Sequence, residues 1–229
     1  MALSKKPVTG MKDILPEEMQ IRDYVISVIK DTYGKFGFTS IETPCVENIA
    51  NLTSKQGGDN EKLIFKAMKR GAELQRATEK ANGEYADNGL RYDLTVPLAK
   101  YVALHCNDLA FPFRRYQISK VYRGERAQRG RFREFYQADI DIIGDGKLDI
   151  LNEAEIPAII YKVFRGFGLN RFQIRVNNRK ILNGFYEMLH LSHKAGDIMR
   201  TVDKLDKIGT RKVGFMLIDE LGISEDHAD

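Results

Sequence analysis

The chain has 229 residues, 43% of them hydrophobic and including 12 Phe and 10 Tyr, which is enough apolar material for a buried core and excludes wholesale disorder. Its 36 basic and 32 acidic side chains leave a net charge of +4, which permits a nucleic-acid partner without requiring one. No run approaches the ~18 consecutive apolar residues of a membrane span, no apolar segment follows the basic N-terminal residues as in a secretory signal, and the distant Cys45 and Cys106 fit a reduced, cytoplasmic setting as buried structural thiols.

Residues 1–12 read as a flexible entry. Pro16 followed by Glu17 and Glu18 predicts a helix start, with acids against the N-terminal dipole. Ile21, Val25, Ile29 and Tyr33 continue it as an amphipathic helix that Gly34 and Gly37 end. Residues 38–44 (FTSIETP) form a short extended run and 51–60 a loop. The segments 63–68 (LIFKAM) and 89–95 (GLRYDLT) are strand candidates, separated by a polar excursion over 69–88. Leu98, Val102 and His105 have helical spacing.

Residues 112–125 and 133–144 both alternate, which predicts a long hairpin around an arginine-rich loop. Residues 150–168 carry Ile156, Ile159, Ile160, Val163, Phe164 and Phe167 on a helical period, with Asp149 as the cap. Pro157 either kinks that helix or marks its first turn. Residues 171–178 alternate as a strand, and helical patterning runs from Arg179 onward. Helices with mostly hairpin-connected strands predict an α+β domain around an antiparallel sheet. No glycine-rich dinucleotide or P-loop signature is present.

Strand parity groups the chemistry. Arg91, Asp93 and Thr95 share one face of a strand over 89–95. Arg115, Gln117, Ser119, Val121 and Arg123 share a face of the first hairpin strand. Phe135, Gln137, Asp139 and Asp141 share a face of the second, opposite a core-like Tyr136, Ala138, Ile140 and Ile142. These polar faces are either a solvated sheet surface or, with Asp93 opposed to the row of Gln137, Asp139 and Asp141, an acidic pocket for an ammonium or imidazole. Residues 114–133 hold Arg114, Arg115, Lys120, Arg123, Arg126, Arg129, Arg131 and Arg133, relieved only by Glu125. Flanked by Phe132 and Phe135, they suit a triphosphate and a stacked base, or equally an RNA backbone. Pocket and arginine loop together fit an amino acid held by its ammonium on Asp93, with its carboxylate aimed at a nucleotide α-phosphate on Arg123. Positioning and charge neutralisation then supply the catalysis. His190 and His193 at i, i+3 invite a metal reading, but a surface helix explains them without a third ligand. Lys204, Lys207, Arg211 and Lys212 fit either RNA contact or a solvated helix face.

VYRGERAQRGRFREFYQADIDIIG (121–144) resembles motif 2 of the class II aminoacyl-tRNA synthetases and, in its detail, the histidyl-tRNA synthetase family. GMKDILPEE (10–18) is similar to that family's entry segment, and GFTSIETPCVE (37–47) to its motif 1. LRYDLTVPLAKYVA (90–103) is similar to its amino-acid-binding segment, and NNRKILNGFYE (177–187) and VDKLDKIG (202–209) to the stretch after its catalytic strands.

The resemblance implies a class II antiparallel sheet flanked by helices, incomplete on its C-terminal side, with the core over 1–176 and the start of an insertion domain over 177–229. Motif 3, a further glycine-rich substrate segment and an anticodon-binding domain find no match, so an N-terminal portion that alone binds weakly and activates histidine poorly is expected. The implied activity is ATP-dependent formation of histidyl-adenylate and transfer to tRNA(His), with Mg2+ accompanying ATP, no protein-bound metal, and a homodimer through motif 1. The resemblance places Asp93, Thr95 and Gln137 on the histidine amino end and Asp141 on the imidazole. It sets Arg123 across the carboxylate and α-phosphate, Glu125 at the adenine, Arg131 on the outer phosphates and Phe135 under the base. A synthetase-like regulatory subunit, of the type partnering ATP phosphoribosyltransferase, keeps the fold without the chemistry; Arg123, Glu125, Arg131 and Phe135 argue against it. A generic RNA-binding module has no need of Asp93, Gln137 and Asp141.

Overall fold

In the computed structural model, which describes residues 5–53, 62–80 and 85–228, the chain divides into a unit Met1–Phe172 and a unit Gln173–Asp229. The architecture is α+β, with small sheets flanked by helices. Pro16 begins α1 (Pro16–Lys35), with Glu17 and Glu18 in its first turn. After it, Gly37 takes φ +76°, a conformation that costs glycine little. Ile21 departs from the expected stripe. It is 66% exposed, because the buried part of α1 lies toward its C-terminal end, at Thr32 and Tyr33.

One sheet has the order β1 (Thr39–Ser40), β5 (Phe113–Tyr122), β6 (Glu134–Ile143). The hairpin β5–β6 is antiparallel, and the short β1 joins β5 in parallel. A second, antiparallel sheet has the order β2 (Val46–Asn48), β4 (Ala86–Leu90), β3 (Lys66–Met68). The helix α2 (Ile49–Leu52) follows β2, with the Asn48 side chain accepting from the Ala50 amide (2.9 Å). The rest of the loop expected over 51–60 lies largely outside the described residues.

The polar segment between β3 and β4 is not an excursion throughout: Gly71–Lys80 forms helix α3, with Ala77 buried on its inner side. The strand expected over 89–95 stops at Leu90. Its alternating residues are interrupted by α4 (Thr95–His105), and the carboxylate of Asp93 accepts from the Val96 amide (3.1 Å) in the first turn. Arg91, Asp93 and Thr95 therefore do not share a strand face. Lys100 of α4 reaches back to the buried Glu47 of β2 (2.5 Å) and ties the helix to the second sheet.

Helix α5 (Leu151–Gly166) runs through Pro157, and Asp149 Oδ1 accepts from the Leu151 amide (2.8 Å) at its start. Tyr33 and Phe38 pack with Ile159 and Val163 of α5 into one core cluster, which also takes in Tyr116, Ile140 and Ile142 of the hairpin. Tyr136 and Ala138, expected on the same core face, are exposed, because this cluster covers only the far half of β6. α1 and α5 approach closely at Gly166, where a Cβ would stand 2.8 Å from Val28 Cγ1. Residues 171–175 alternate in burial, but 171–178 join no ladder among the described residues, so the predicted strand does not form there.

The second unit contains α6 (Arg179–Met188), α7 (Ala195–Val202), α8 (Leu205–Ile208) and α9 (Thr210–Phe215). It has its own core of Tyr186, Ala195, Ile198, Val213, Leu217 and Ile223. His190 sits at φ +59° in the turn after α6, and His193 in a short 3-10 turn, so the pair does not form a helix face. The expectation of buried thiols is corrected too: Cys45 is half-buried and Cys106 exposed. No helix among the described residues is long and apolar enough to cross a membrane.

Candidate functional site

The site is built on the face of β5 and β6 turned away from α1 and α5. Antiparallel register puts Arg115 opposite Asp141, Gln117 opposite Asp139, Ser119 opposite Gln137 and Val121 opposite Phe135. This face is not the solvated surface that alternation alone allowed. Arg115, Gln117 and Val121 are 0% exposed.

The chain between β1 and β2 and the chain leaving β4 provide local cover. Gln117 Nε2 donates to Thr43 Oγ1 (3.2 Å). Arg91, itself buried, donates from Nη1 to the Thr43 carbonyl (2.7 Å) and from Nε to the Lys120 carbonyl (2.9 Å). Its backbone is stitched on both sides: its amide donates to the Cys45 carbonyl (3.0 Å), and its carbonyl accepts from the Tyr122 amide (3.0 Å). Residues 91–93 are thereby laid beside the end of β5.

That stitching sets Arg123. Its amide donates to the Arg133 carbonyl (2.9 Å), and its Nε donates to the Tyr92 carbonyl (3.0 Å). Its guanidinium carbon lies 5.1 Å from the centre of the Phe135 ring. Neither Nη atom has a protein hydrogen bond among the described residues. The adjoining loop is closed by Glu125, which accepts from Arg131 Nη2 (2.8 Å), and whose carbonyl accepts from Arg133 Nε (2.8 Å).

The acidic end is crowded. Gln137 Nε2 donates to Asp139 Oδ1 (3.4 Å), while Gln137 Oε1 is buried and has no donor. Asp141 forms an ion pair with Arg115. The carboxyl of Asp139 is held above the usual range, first by burial and then by Asp141 and Asp93, against the opposing pull of Arg115. Asp93 is therefore in the same field as Asp139. Burial and the charge of Asp93 also push up the neighbouring Tyr92 hydroxyl.

The structure thus brings Asp93, Arg123, Phe135, Gln137 and Asp141 to one side of the hairpin, with Glu125 and Arg131 joined in the adjoining loop. Thr95 is an exposed residue at the start of α4. Arg115, Gln117, Thr43 and Asp139 also build this face; Asp139 belongs to the acidic row expected from sequence, Arg115 was expected among the phosphate-binding cations but is buried against Asp141, and Gln117 and Thr43 had no assigned role. Register supplied a signal for Arg115, since mirrored alternation in a hairpin sets an arginine against an aspartate; for Thr43 there was no local signal.

A proton bound more tightly in the folded state stabilises the fold in acid, and that contribution is lost as pH rises through the raised Asp139 value. Asp139→Asn keeps the acceptor for Gln137 and removes the disfavoured charge. It is expected to raise the thermal midpoint at neutral pH and leave it unchanged in acid. A lower midpoint at neutral pH would mean that attraction to Arg115 outweighs burial.

The family described as histidyl-tRNA synthetase matches residues 10–214. The histidine–tRNA ligase of Clostridium tetani is 46% identical over 220 residues, which cover 96% of this chain and 46% of that protein. That of Xanthomonas oryzae is 46% identical over 225 residues, covering 94% and 47%. The chain thus spans about half the length of these relatives. The crystal structure of histidyl-tRNA synthetase from Nostoc superposes with a TM-score of 0.81 at 36% identity, over 99% of this chain and 47% of that one. A Bacillus halodurans structure described as an ATP phosphoribosyltransferase regulatory subunit/histidyl-tRNA synthetase shares the fold, with a TM-score of 0.75 at 22% identity, over 100% and 54%.

Proposed function

The chain belongs to the histidyl-tRNA synthetase family, and from that premise we propose that its hairpin face is where a histidine–tRNA ligase joins histidine to ATP. The observation that carries this reading is Gln137 Oε1, a buried acceptor without a donor beside a group of carboxylates. A substrate ammonium supplies the missing donor, and Asp93 and Thr95 complete its binding. Asp141 accepts from the imidazole.

The histidine carboxylate attacks the α-phosphorus of ATP. The new P–O bond forms as the bond to pyrophosphate breaks, leaving histidyl-adenylate. The 3′ hydroxyl of tRNA(His) then attacks the carbonyl and AMP leaves. Arg123, held by Tyr92 and Phe135, presents its Nη atoms to the carboxylate and α-phosphate and offsets charge that both reactants carry. Phe135 supports the adenine, Glu125 reads its edge and Arg131 takes the outer phosphates. Releasing Arg131 from Glu125 costs little, because its side chain is more than half exposed and such pairs are worth about 0–1 kcal/mol.

ATP with its Mg2+ is the substrate. No cluster of three His, Cys, Asp or Glu side chains suited to a metal is found among the described residues. We assign 1–176 to the catalytic core and 177–229 to the insertion domain, with dimerisation through the motif 1 segment and the reaction in the cytoplasm.

Calorimetric titration of the chain with histidine, with and without a non-hydrolysable ATP analogue, tests the reading. Histidine is expected to bind, and its affinity to change when the nucleotide is present. Binding indifferent to nucleotide would favour the regulatory-subunit alternative, and no binding would refute the site.

A further inference from the structure

Arg115 is a wholly buried guanidinium on β5, near the open end of the hairpin. Its Nη2 forms an ion pair with Asp141, yet Nε, Nη1 and Nη2 are all shut off from solvent without an aligned hydrogen bond. Burying a charge so sparsely bonded is expensive, and an apolar side chain would pack there at less cost. The Asp141 side chain is 34% exposed, so its carboxylate has the arginine on its buried side and open space on another. Asp139, two pairs along the ladder and next on the same face, also feels the arginine.

We propose that Arg115 is a positioning residue that holds Asp141 from behind as an oriented acceptor for the substrate imidazole, and that it is the counter-ion shared by Asp141 and Asp139. This inference rests on the histidine-site reading. Arg115 touches no substrate: it has no exposed atom. An arginine suits the role because it stays charged when buried and its planar fork fixes a carboxylate's direction, which an ammonium does not. With one oxygen of Asp141 engaged by Arg115, the other is left to accept an imidazole N–H. The charges that bear on this guanidinium are Asp141 and Asp139 of β6. Asp93, before α4, bears on Asp139, and on the reverse side of the strands the Tyr33 hydroxyl of α1 is pushed up to about 12 by burial and then by Asp139.

The test follows Asp139 by carboxyl-carbon NMR and histidine affinity by calorimetry across pH, in the wild-type chain, Arg115→Gln and Arg115→Lys. Removing the positive charge is expected to move the Asp139 titration upward by about one unit, a tenfold change in its protonation ratio. The acid limb of histidine binding should move the same way, and affinity should recover at higher pH. Arg115→Lys should return the Asp139 titration toward wild type but leave histidine weaker at every pH, since it restores charge without the fork. An unmoved titration and acid limb in Arg115→Gln would overturn the inference while histidine binding by the wild type stands. If Arg115→Gln does not fold, Arg115→Lys decides alone: wild-type histidine affinity in that variant overturns the proposal. A wild-type chain that binds no histidine at any pH sinks the underlying reading instead.

Discussion

Arg123→Met is expected to weaken binding of a non-hydrolysable histidyl-adenylate analogue by about 10²-fold or more, the scale of losing one pre-aimed charged donor. The same change should alter the affinity for histidine alone far less. The difference arises from where the guanidinium is held. Its Nε is occupied by the Tyr92 carbonyl and its plane lies against Phe135, while Asp141 and Gln137 stand further along β6. The arginine is thus fixed before any ligand arrives, so little ordering has to be paid for on binding. Methionine keeps much of the stem and its contact with Phe135 but brings no charge. Arg123→Lys should rescue only in part, because an ammonium cannot donate to Tyr92 and to two ligand oxygens in one plane. Equal losses for histidine and for the adenylate analogue would place Arg123 in general support of the pocket. No loss for either would remove it from the site.

The hairpin was legible in the sequence because both strands alternate over ten residues and local parity fixes which side chains share a face. The helices α1 and α5 were legible for a similar reason: apolar residues recur at helical spacing, and Pro16 and Asp149 mark their beginnings. The failures have physical causes. Residues 91–95 alternate like a strand, but an aspartate that bonds the Val96 amide favours a helix start, and the short-range capping bond prevailed. Residues 171–178 also alternate, yet a strand needs a ladder, and parity says nothing about whether a partner exists. Helix α3 was hidden by its charge, since only Ala77 of its ten residues is buried.

The site divides along the same line. That Gln137, Asp139 and Asp141 face one way could be read from β6 alone. That Arg91 joins Cys45 to Tyr122, and so carries Asp93 to the hairpin, depends on backbone bonds spanning tens of residues, for which the segment itself holds no signal. The sequence reading opposed Asp93 to the hairpin by taking 89–95 as a further strand with a polar face, a strand that does not extend to Asp93, and resemblance of the whole stretch to a family pointed the same way. The burial of Arg115 was hidden because a charge is ordinarily read as solvated.

Ile159→Ala should cost the unit that carries the site about 2–4 kcal/mol, the range for emptying a filled core position. Ile159 has no exposed surface and packs in the cluster of Tyr33, Phe38 and Val163. The collapse that softens such losses is restricted here. α5 already meets α1 at Gly166 with no space for even one added carbon, and the cluster also bears on Tyr116, Ile140 and Ile142, the reverse side of the strands that present Arg115 and Asp141. Ile160→Ala is the control, because that neighbour is 36% exposed and should lose markedly less. Hydrogen exchange resolves where the loss falls: amides of α1, α5, β5 and β6 should exchange faster in Ile159→Ala, since they share the emptied core. Equal costs for Ile159→Ala and Ile160→Ala would mean that this cluster relaxes freely, and that the buried charges above it are held by the hairpin ladder and not by the helices beneath.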